Sequence, residues 1–427
     1  MTELPAGAPN RHNRKGSILT LAAILVTGLA LRLFIAITPG YAWDIRGWSL
    51  LAKRGAEAGV EHVYDPGLHN PSLGVYPPLY QEALTSVGLI YEGFISPDFE
   101  IGTPALGYLL KLFPILGECL LGLVIYLGLS DLVGKQKALW STAFFIFNPA
   151  ILYTTAYWGM FGDSWYTLFV VMALLALKRD NPFFAAAAIT AGVLFKPQTV
   201  AFVPLVMWWS VHPLGWKRIV KVTLGAGLVA VIVGQPFIEA ETIPHMVAAL
   251  RETVGLFPLL SANAHNIWYL GSMGQASVSD AVPLFGPFTA RSLGLFAFGG
   301  ASLYALSRPK EEILGTAAYL GFSFFMLSTE MHENYLYPTV VLLMVVCSCS
   351  RLLGILALTI TATSLANMAL HDVVLDPGKL FSIRTLTGLR LLNSIVNVFA
   401  FLAWGYFILR NRHFARYDNP EKLIVAA

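Results

Sequence analysis

Apolar stretches long enough to cross ~30 Å of hydrocarbon recur along nearly the whole chain, and no water-soluble fold can bury so many of them. They fall at about 17–37, 105–129, 138–153, 163–177, 182–195, 198–211, 219–236, 284–306, 313–329, 335–350, 352–370 and 388–409. Several are short for a span, and the pairs meeting at Lys196 and Arg351 have almost no connecting loop. The expected fold is all-α, a polytopic membrane helix bundle of about twelve transmembrane helices. Composition points the same way. Of 427 residues 56% are hydrophobic and only 12% charged, about half the quarter usual in soluble proteins. That excludes intrinsic disorder, a fibrous repeat and a disulfide-stapled secreted domain. A net charge of +3 is too small for a nucleic-acid partner. Cys119, Cys347 and Cys349 lie in apolar runs with no histidine at metal-ligand spacing, so they are expected to be small core residues.

The first apolar segment follows Arg11, Arg14 and Lys15. It is too long for a signal-peptide core and lacks a small-x-small site before Pro39, so an uncleaved helix is expected. Lys135, Lys137, Lys178, Arg179, Lys217, Arg218, Lys221, Arg308, Lys310, Arg351 and the tail from Arg410 gather on one set of connections, and acidic residues on the other. The positive-inside rule then places both termini in the cytoplasm. One membrane domain covers 1–427, with short tails at 1–16 and 410–427. Two long external loops are expected at 38–104 and 237–283. Amphipathic pieces at 45–58 and 79–91 suit helices lying along the membrane surface. Long connections in a compact protein are usually functional.

The informative polar residues fall on that external side. GYAWDIRGW carries Trp43 and Asp44; VYDP carries Asp65; VYPPLY carries Tyr76 and Tyr80. AYWGMFGDSWY carries Asp163, LFKPQT carries Lys196 and Gln198, and STEMHENYLYP carries Glu330, His332, Glu333 and Tyr335. Widely separated segments thus meet at one membrane level, as in a cavity roofed by the long loops. Each residue also has a plainer reading. Asp44 and Asp163 are well placed as helix N-caps, the paired prolines redirect a loop, and His332 alone suits an interfacial histidine. Lys196 sits between apolar runs on the side poor in basic residues, where a cation needs an anionic partner. Lys111 and Glu118, seven apart on one helical face, suit helix packing or a polar network. Arg32, near an outer helix end, is expected to snorkel.

Neither face carries a Walker loop, a GxSxG elbow, an HExxH pair, a CxxC pair or a DxD pair, and the cytoplasmic connections are too short for a nucleotide-binding fold. A substrate used on the external side would therefore arrive through the bilayer as a lipid. A lipid that carries its transferable group on a phosphate already has a stable leaving anion. The site then needs positive charge beside the phosphate and a carboxylate to deprotonate the acceptor hydroxyl. Trp43, Trp48, Tyr76, Tyr80 and Trp158 can stack on sugar faces or belong to the interfacial aromatic belt.

WD at the start of a long first external loop, YPPLY later in it, FKPQ at a short turn and MHENYLYP at a later one resemble the GT-C membrane glycosyltransferases. The likeness is greatest to the branch containing the dolichyl-phosphate-glucose glucosyltransferases and to related bacterial mannosyl- and glucosyltransferases. The motifs span residues 41–338, and it is their order, spacing and common side that make the set specific. The resemblance implies an inverting hexosyltransferase working without metal or organic cofactor. It would move mannose or glucose from a polyprenyl-phosphate donor to a hydroxyl of a glycan or glycolipid acceptor. Asp44 would be the base, and Lys196 and His332 would hold the donor phosphate. Trp43, Asp65, Tyr76, Tyr80, Asp163, Gln198, Glu333 and Tyr335 would surround the substrate. A bacterial plasma membrane is the expected location, or the endoplasmic reticulum in a eukaryote. One departure stands out: Asn334 occupies a position where bacterial members often have arginine. Two other classes fit the topology: a transporter or flippase of lipid-linked sugars, favoured by Glu118, and a non-catalytic scaffold subunit.

Overall fold

Every apolar segment marked in the sequence contains helix in the computed structural model, which describes residues 11–67, 75–252, 255–275 and 277–410. The expected tails at 1–16 and 410–427 lie largely outside them. The first half of the chain runs α1 (Arg11–Ile35), α2 (Ala42–Ala58), α3 (Pro78–Phe94), α4 (Pro104–Val133), α5 (Lys135–Ile146), α6 (Pro149–Leu152), α7 (Asp163–Lys178) and α8 (Pro182–Phe195). Then come α9 (Val203–Val211), α10 (Trp216–Glu239), α11 (Ile243–Glu252), α12 (Ile267–Gly271), α13 (Ala290–Leu306) and α14 (Ile313–Leu327). The chain closes with α15 (Tyr337–Val346), α16 (Arg351–Ala369) and α17 (Ile383–Arg410). Five of these, within α1, α4, α10, α16 and α17, are long and apolar enough to cross a membrane, and α8 and α15 are shorter apolar helices. The chain is an integral membrane protein on that evidence. The amphipathic pieces of the first long loop are α2 and α3.

Two segments depart from the all-α expectation. The stretch expected as helix from 284 opens instead as a two-stranded ribbon, β1 (Pro283–Phe285) with β2 (Phe288–Thr289). Gly286 at φ 55° makes the turn, and Pro287 beside it has no amide hydrogen with which to continue a helix. The stretch expected from 198 begins as a 3-10 turn over Pro197–Phe202 before α9.

Two apolar cores position the rest. The larger packs α5, α7, α8, α14, α15 and α16 around Leu174, Phe202, Phe322 and Leu342. The smaller, built from Trp48, Leu84, Leu110, Trp158, Phe161 and Phe195, seats the α2–α3 pair on α4 and on the ends of α7 and α8. Packing is therefore what turns the first long loop into a fixed wall.

Buried charge within the bundle corrects one expectation. Arg32 does not snorkel; it is fully buried and pairs with Glu118. Tyr337 donates to the other Glu118 oxygen at 2.8 Å. The helices α1, α4 and α15 are thus joined by one triad, as hydrocarbon demands of a charge it encloses. Lys111, on the same face of α4, serves a different network. Its Nζ donates to Thr38 O (2.7 Å) and Tyr157 O (2.8 Å), tying the turn after α1 to the segment before α7.

Candidate functional site

Lys196 ends α8 because Pro197 follows it. A proline disfavours helical dihedrals in the residue before it, and Lys196 is extended at φ −145°, ψ 129°. Its side chain crosses to the first turn of α7, where Nζ lies 2.9 Å from Asp163 Oδ1. Asn334 Nδ2 donates to the other oxygen at 3.0 Å, so the buried Asp163 carboxylate has a donor on each oxygen. Gly162 makes this closeness possible: a Cβ there would stand 2.7 Å from Tyr80 Cε2 and 3.2 Å from Lys196 Cδ. Tyr166 and Tyr335 flank the ammonium with ring centroids 5.4 and 5.5 Å away, a cation–π setting on two sides.

Asp44 stands in the first turn of α2. No hydrogen bond or ion pair reaches it among the described residues, although it is only partly exposed. Burial pushes its carboxyl up to about 6; Lys196 opposes that shift and the Asp163 charge adds to it. Those electrostatic contacts place Asp44 beside the Lys196–Asp163 pair. Tyr76 and Tyr80 stack at 4.0 Å and sense the Asp44 and Asp163 charges, so the YPPLY segment forms the adjoining wall. Trp48 Nε1 donates weakly to Tyr76 at 3.4 Å.

The turn before α15 supplies the third side. His332 packs against Tyr335 with centroids 5.2 Å apart, and Tyr335 accepts from Gln198 Nε2 at 2.7 Å. Burial, and the Lys196 charge after it, hold His332 near 4, well below the usual imidazole range. It is neutral at pH 7. Glu333 is pushed up to about 7, by burial first and by the Asp44 charge as well, against a hydrogen bond from Asn263. Its Oε2 is buried without a hydrogen-bond partner among the described residues; His332 Nδ1, at 3.9 Å, is too far to serve.

The second long loop fixes this turn. Ala262 N donates to Met331 O at 2.9 Å and Glu330 N to Leu259 O at 3.1 Å. Arg291 grips Asp280 with Nε at 2.7 Å and Glu330 with its terminal nitrogen at 2.6 Å. Glu330 and Asn263 hold positive φ, 61° and 67°, as tight stitches between loop and turn.

Of the residues expected at the site, Asp44, Tyr76, Tyr80, Asp163, Lys196, Gln198, His332, Glu333 and Tyr335 share this chamber. Trp43 and Asp65 do not. Trp43 is 81% exposed, because one step along a helix from Asp44 turns its side chain away by about 100°. Asp65 accepts from His62 (2.8 Å) and His245 (3.2 Å), beside a separate apolar cluster around Tyr64 and Phe237. Its carboxyl is lowered because those two histidines outweigh its burial. Asn334, Tyr166 and Asn263 were missed as chamber residues. Tyr166 had a legible signal, standing one helical turn from Asp163. Asn263 lies in a polar run, SANAHN, between the apolar runs GLFPLL and IWYLG.

The arrangement differs from a pair of free cations around a phosphate. The one lysine is already matched by Asp163, and histidine is held neutral by burial. What remains is a partly shielded carboxylate, Asp44, facing an ion pair, a second carboxyl with an open oxygen, and tyrosines. Such a chamber can accept protons, bind hydroxyls and offer the remaining Lys196 N–H donors to an anion. Among the described residues no group of three or more His, Cys, Asp or Glu side chains could hold a metal ion.

No family model matches the chain, and no curated protein matches it. Solved structures similar to it include that of ArnT from Cupriavidus metallidurans bound to undecaprenyl phosphate. The identity is 12% and the TM-score 0.46, over 90% of this chain and 76% of that one. An overlap that loose transfers neither fold detail nor chemistry, so the chamber stands on its own residues.

Proposed function

We propose that the protein is an inverting, metal-independent glycosyltransferase of GT-C type. It moves a hexose, mannose or glucose, from a polyprenyl-phosphate donor to a hydroxyl of a glycan or glycolipid, on the membrane face opposite the cytoplasm. The observation that carries this reading is Asp44: a carboxylate without a partner among the described residues, raised to about 6, beside a buried lysine. A base poised near working pH is what hydroxyl deprotonation needs. Asp44 takes the proton of the acceptor hydroxyl as that oxygen bonds to the anomeric carbon. The bond from the anomeric carbon to the phosphate oxygen breaks, and its electron pair leaves with the polyprenyl phosphate.

Lys196 keeps one N–H on Asp163 and turns the others to the departing phosphate. The developing charge is then met in a site poor in water, where such contacts are strongest. His332, neutral, contributes a hydrogen bond rather than a charge. Glu333 Oε2, buried and unpartnered among the described residues, is the acceptor for a sugar hydroxyl, and Tyr76, backed by the buried Tyr80, supplies a flat face for the ring. Nothing favours the carrier reading over this one, since Glu118, on which it rested, is held in place by Arg32 and Tyr337.

Purified protein incubated with radiolabelled polyprenyl-phosphate mannose or glucose and a mixed acceptor extract tests the proposal. Release of polyprenyl phosphate with label in the acceptor is the expected result. Label that only crosses a vesicle membrane, its donor intact, would show a carrier instead.

A further inference from the structure

Asp372, which follows α16, belongs to no part of the chemistry above, yet it is 1% exposed and heavily engaged. Its Oδ1 accepts from the amides of Val374 (2.6 Å) and Leu375 (2.9 Å). Its Oδ2 accepts from Trp158 Nε1 at 2.8 Å and from the Tyr153 hydroxyl. Four donors on two oxygens leave nothing over for a substrate. They also fix Trp158, which is 1% exposed and follows a π-helical turn, Tyr153–Tyr157, a feature that often marks functional sites.

Trp158 in turn holds the start of α2. Its carbonyl accepts from Tyr41 N at 2.8 Å, and its ring meets the Tyr41 ring at 5.0 Å. Tyr41 is the N-cap of α2, and its carbonyl takes the Ile45 amide at 3.0 Å. Asp44 stands between these two residues. The fit around them has no slack. A Cβ on Gly40 (φ 84°) would meet Lys111 Cε at 2.8 Å and Trp158 O at 2.9 Å, and one on Gly159 (φ 86°) would meet Ile45 Cδ1 at 3.0 Å.

We infer that Asp372 is the positioning residue for Asp44: through Trp158 it anchors the first turn of α2 and so sets where the Asp44 carboxyl points. The direction of Asp44 is fixed by a residue far along the chain rather than by contacts of its own, which leaves its oxygens free for substrate. This rests on the proposed role of Asp44 for its effect on turnover, but not for the geometry itself. An asparagine at 372 cannot replace the carboxylate, since its NH2 would face N–H or O–H donors on one side or the other.

Two measurements on the full chain test it. In the first, Asp44→Cys protein is labelled with a maleimide and read at residue 44 by peptide mapping. Adding Asp372→Asn should change the labelling rate at least fivefold, whereas Asp376→Asn, in the same loop, should leave it unchanged. In the second, Asp372→Asn should lower kcat for release of polyprenyl phosphate by about 10–100-fold, with donor KM within twofold. On an Asp44→Asn background it should cost nothing further. If Asp372→Asn does not accumulate, Trp158→Phe, which keeps a ring against Tyr41 and removes the indole N–H, carries the same expectations. Unchanged labelling at 44 overturns the inference, as does an equal loss of rate on both backgrounds. Altered labelling in a protein that never releases polyprenyl phosphate sustains the positioning role and removes the transferase reading.

Discussion

Deep among α1, α4 and α15, Glu118 gives one oxygen to Arg32 and the other to Tyr337, and all three side chains are buried. In the chamber above α7, each Asp163 oxygen likewise has a donor, from Lys196 and Asn334, but its neighbours are not so matched. Among the described residues Asp44 has no hydrogen-bond or ion-pair partner, and Glu333 keeps one oxygen open. Both carboxyls sit above their ordinary range, burial being the largest cause for each. Although Arg32 Nη2 has no partner among the described residues, the two Glu118 oxygens are met by a cation and a hydroxyl, and a buried carboxylate held that way is part of the framework. A carboxyl shielded from water without such groups is costly to keep, and perturbed acids of that kind cluster where chemistry is done.

The sharpest break between the two regions is expected at their acids. Asp44→Asn should lower transfer by about 10²–10⁴-fold, the range for a general base, while thermal unfolding in detergent stays near wild type. Near-normal turnover would take Asp44 out of the mechanism. Glu118→Gln should do the reverse. It leaves Arg32 enclosed without its counter-charge, costing about 3 kcal/mol of stability, with donor KM unchanged in whatever protein folds. A stable, inactive Glu118→Gln would erase the distinction between the regions.

Lys196 tests whether the ion pair is framework or machinery. Lys196→Met should raise donor KM about tenfold or more, because the phosphate loses its cation. It should also move the pH dependence. Asp44 works only when ionised, so with its carboxyl near 6 log kcat should fall with unit slope below pH 6 and level off above. Lys196 lowers the Asp44 value, so its removal should carry that limb to higher pH. A limb that stays in place would mean that lysine and aspartate do not sense each other, and the chamber would not be one site.

How much of this was legible beforehand follows from physical range. Hydropathy acts over about twenty residues, and helices therefore fall where apolar stretches do, while α2 and α3 fall where the amphipathic pieces of the first long loop do. Short polar runs at the ends of those stretches pointed to Asp44, Lys196, His332 and Glu333, because polar atoms at a membrane rim need a reason to be there. Pairing is another matter. That Lys196 meets Asp163 while Asn334 closes the other oxygen depends on how α7, α8 and the turn before α15 pack, and no spacing records it. Arg32 was misread for the same reason: its partner lies 86 residues away. Asp372 could not be singled out at all: the amides of Val374 and Leu375 are local partners of the kind any turn aspartate finds, and Tyr153 and Trp158 reach it only when α16 meets the π-helical turn.

The smallest effects are expected where sequence placed residues at the site and the fold did not. Trp43 adjoins the proposed base in sequence, but its side chain leaves α2 about 100° away from that of Asp44 and is 81% exposed. Asp65 ties His62 to His245 and reaches none of the chamber. Trp43→Ala and Asp65→Asn should each leave kcat and donor KM within about twofold, as surface changes away from a site usually do. A tenfold loss in Trp43→Ala would mean that the acceptor approaches over the outer face of α2, so that the chamber extends beyond its present walls. A similar loss in Asp65→Asn would mean that the link between the two long loops controls closure over Asp44, joining two regions that the contacts keep apart.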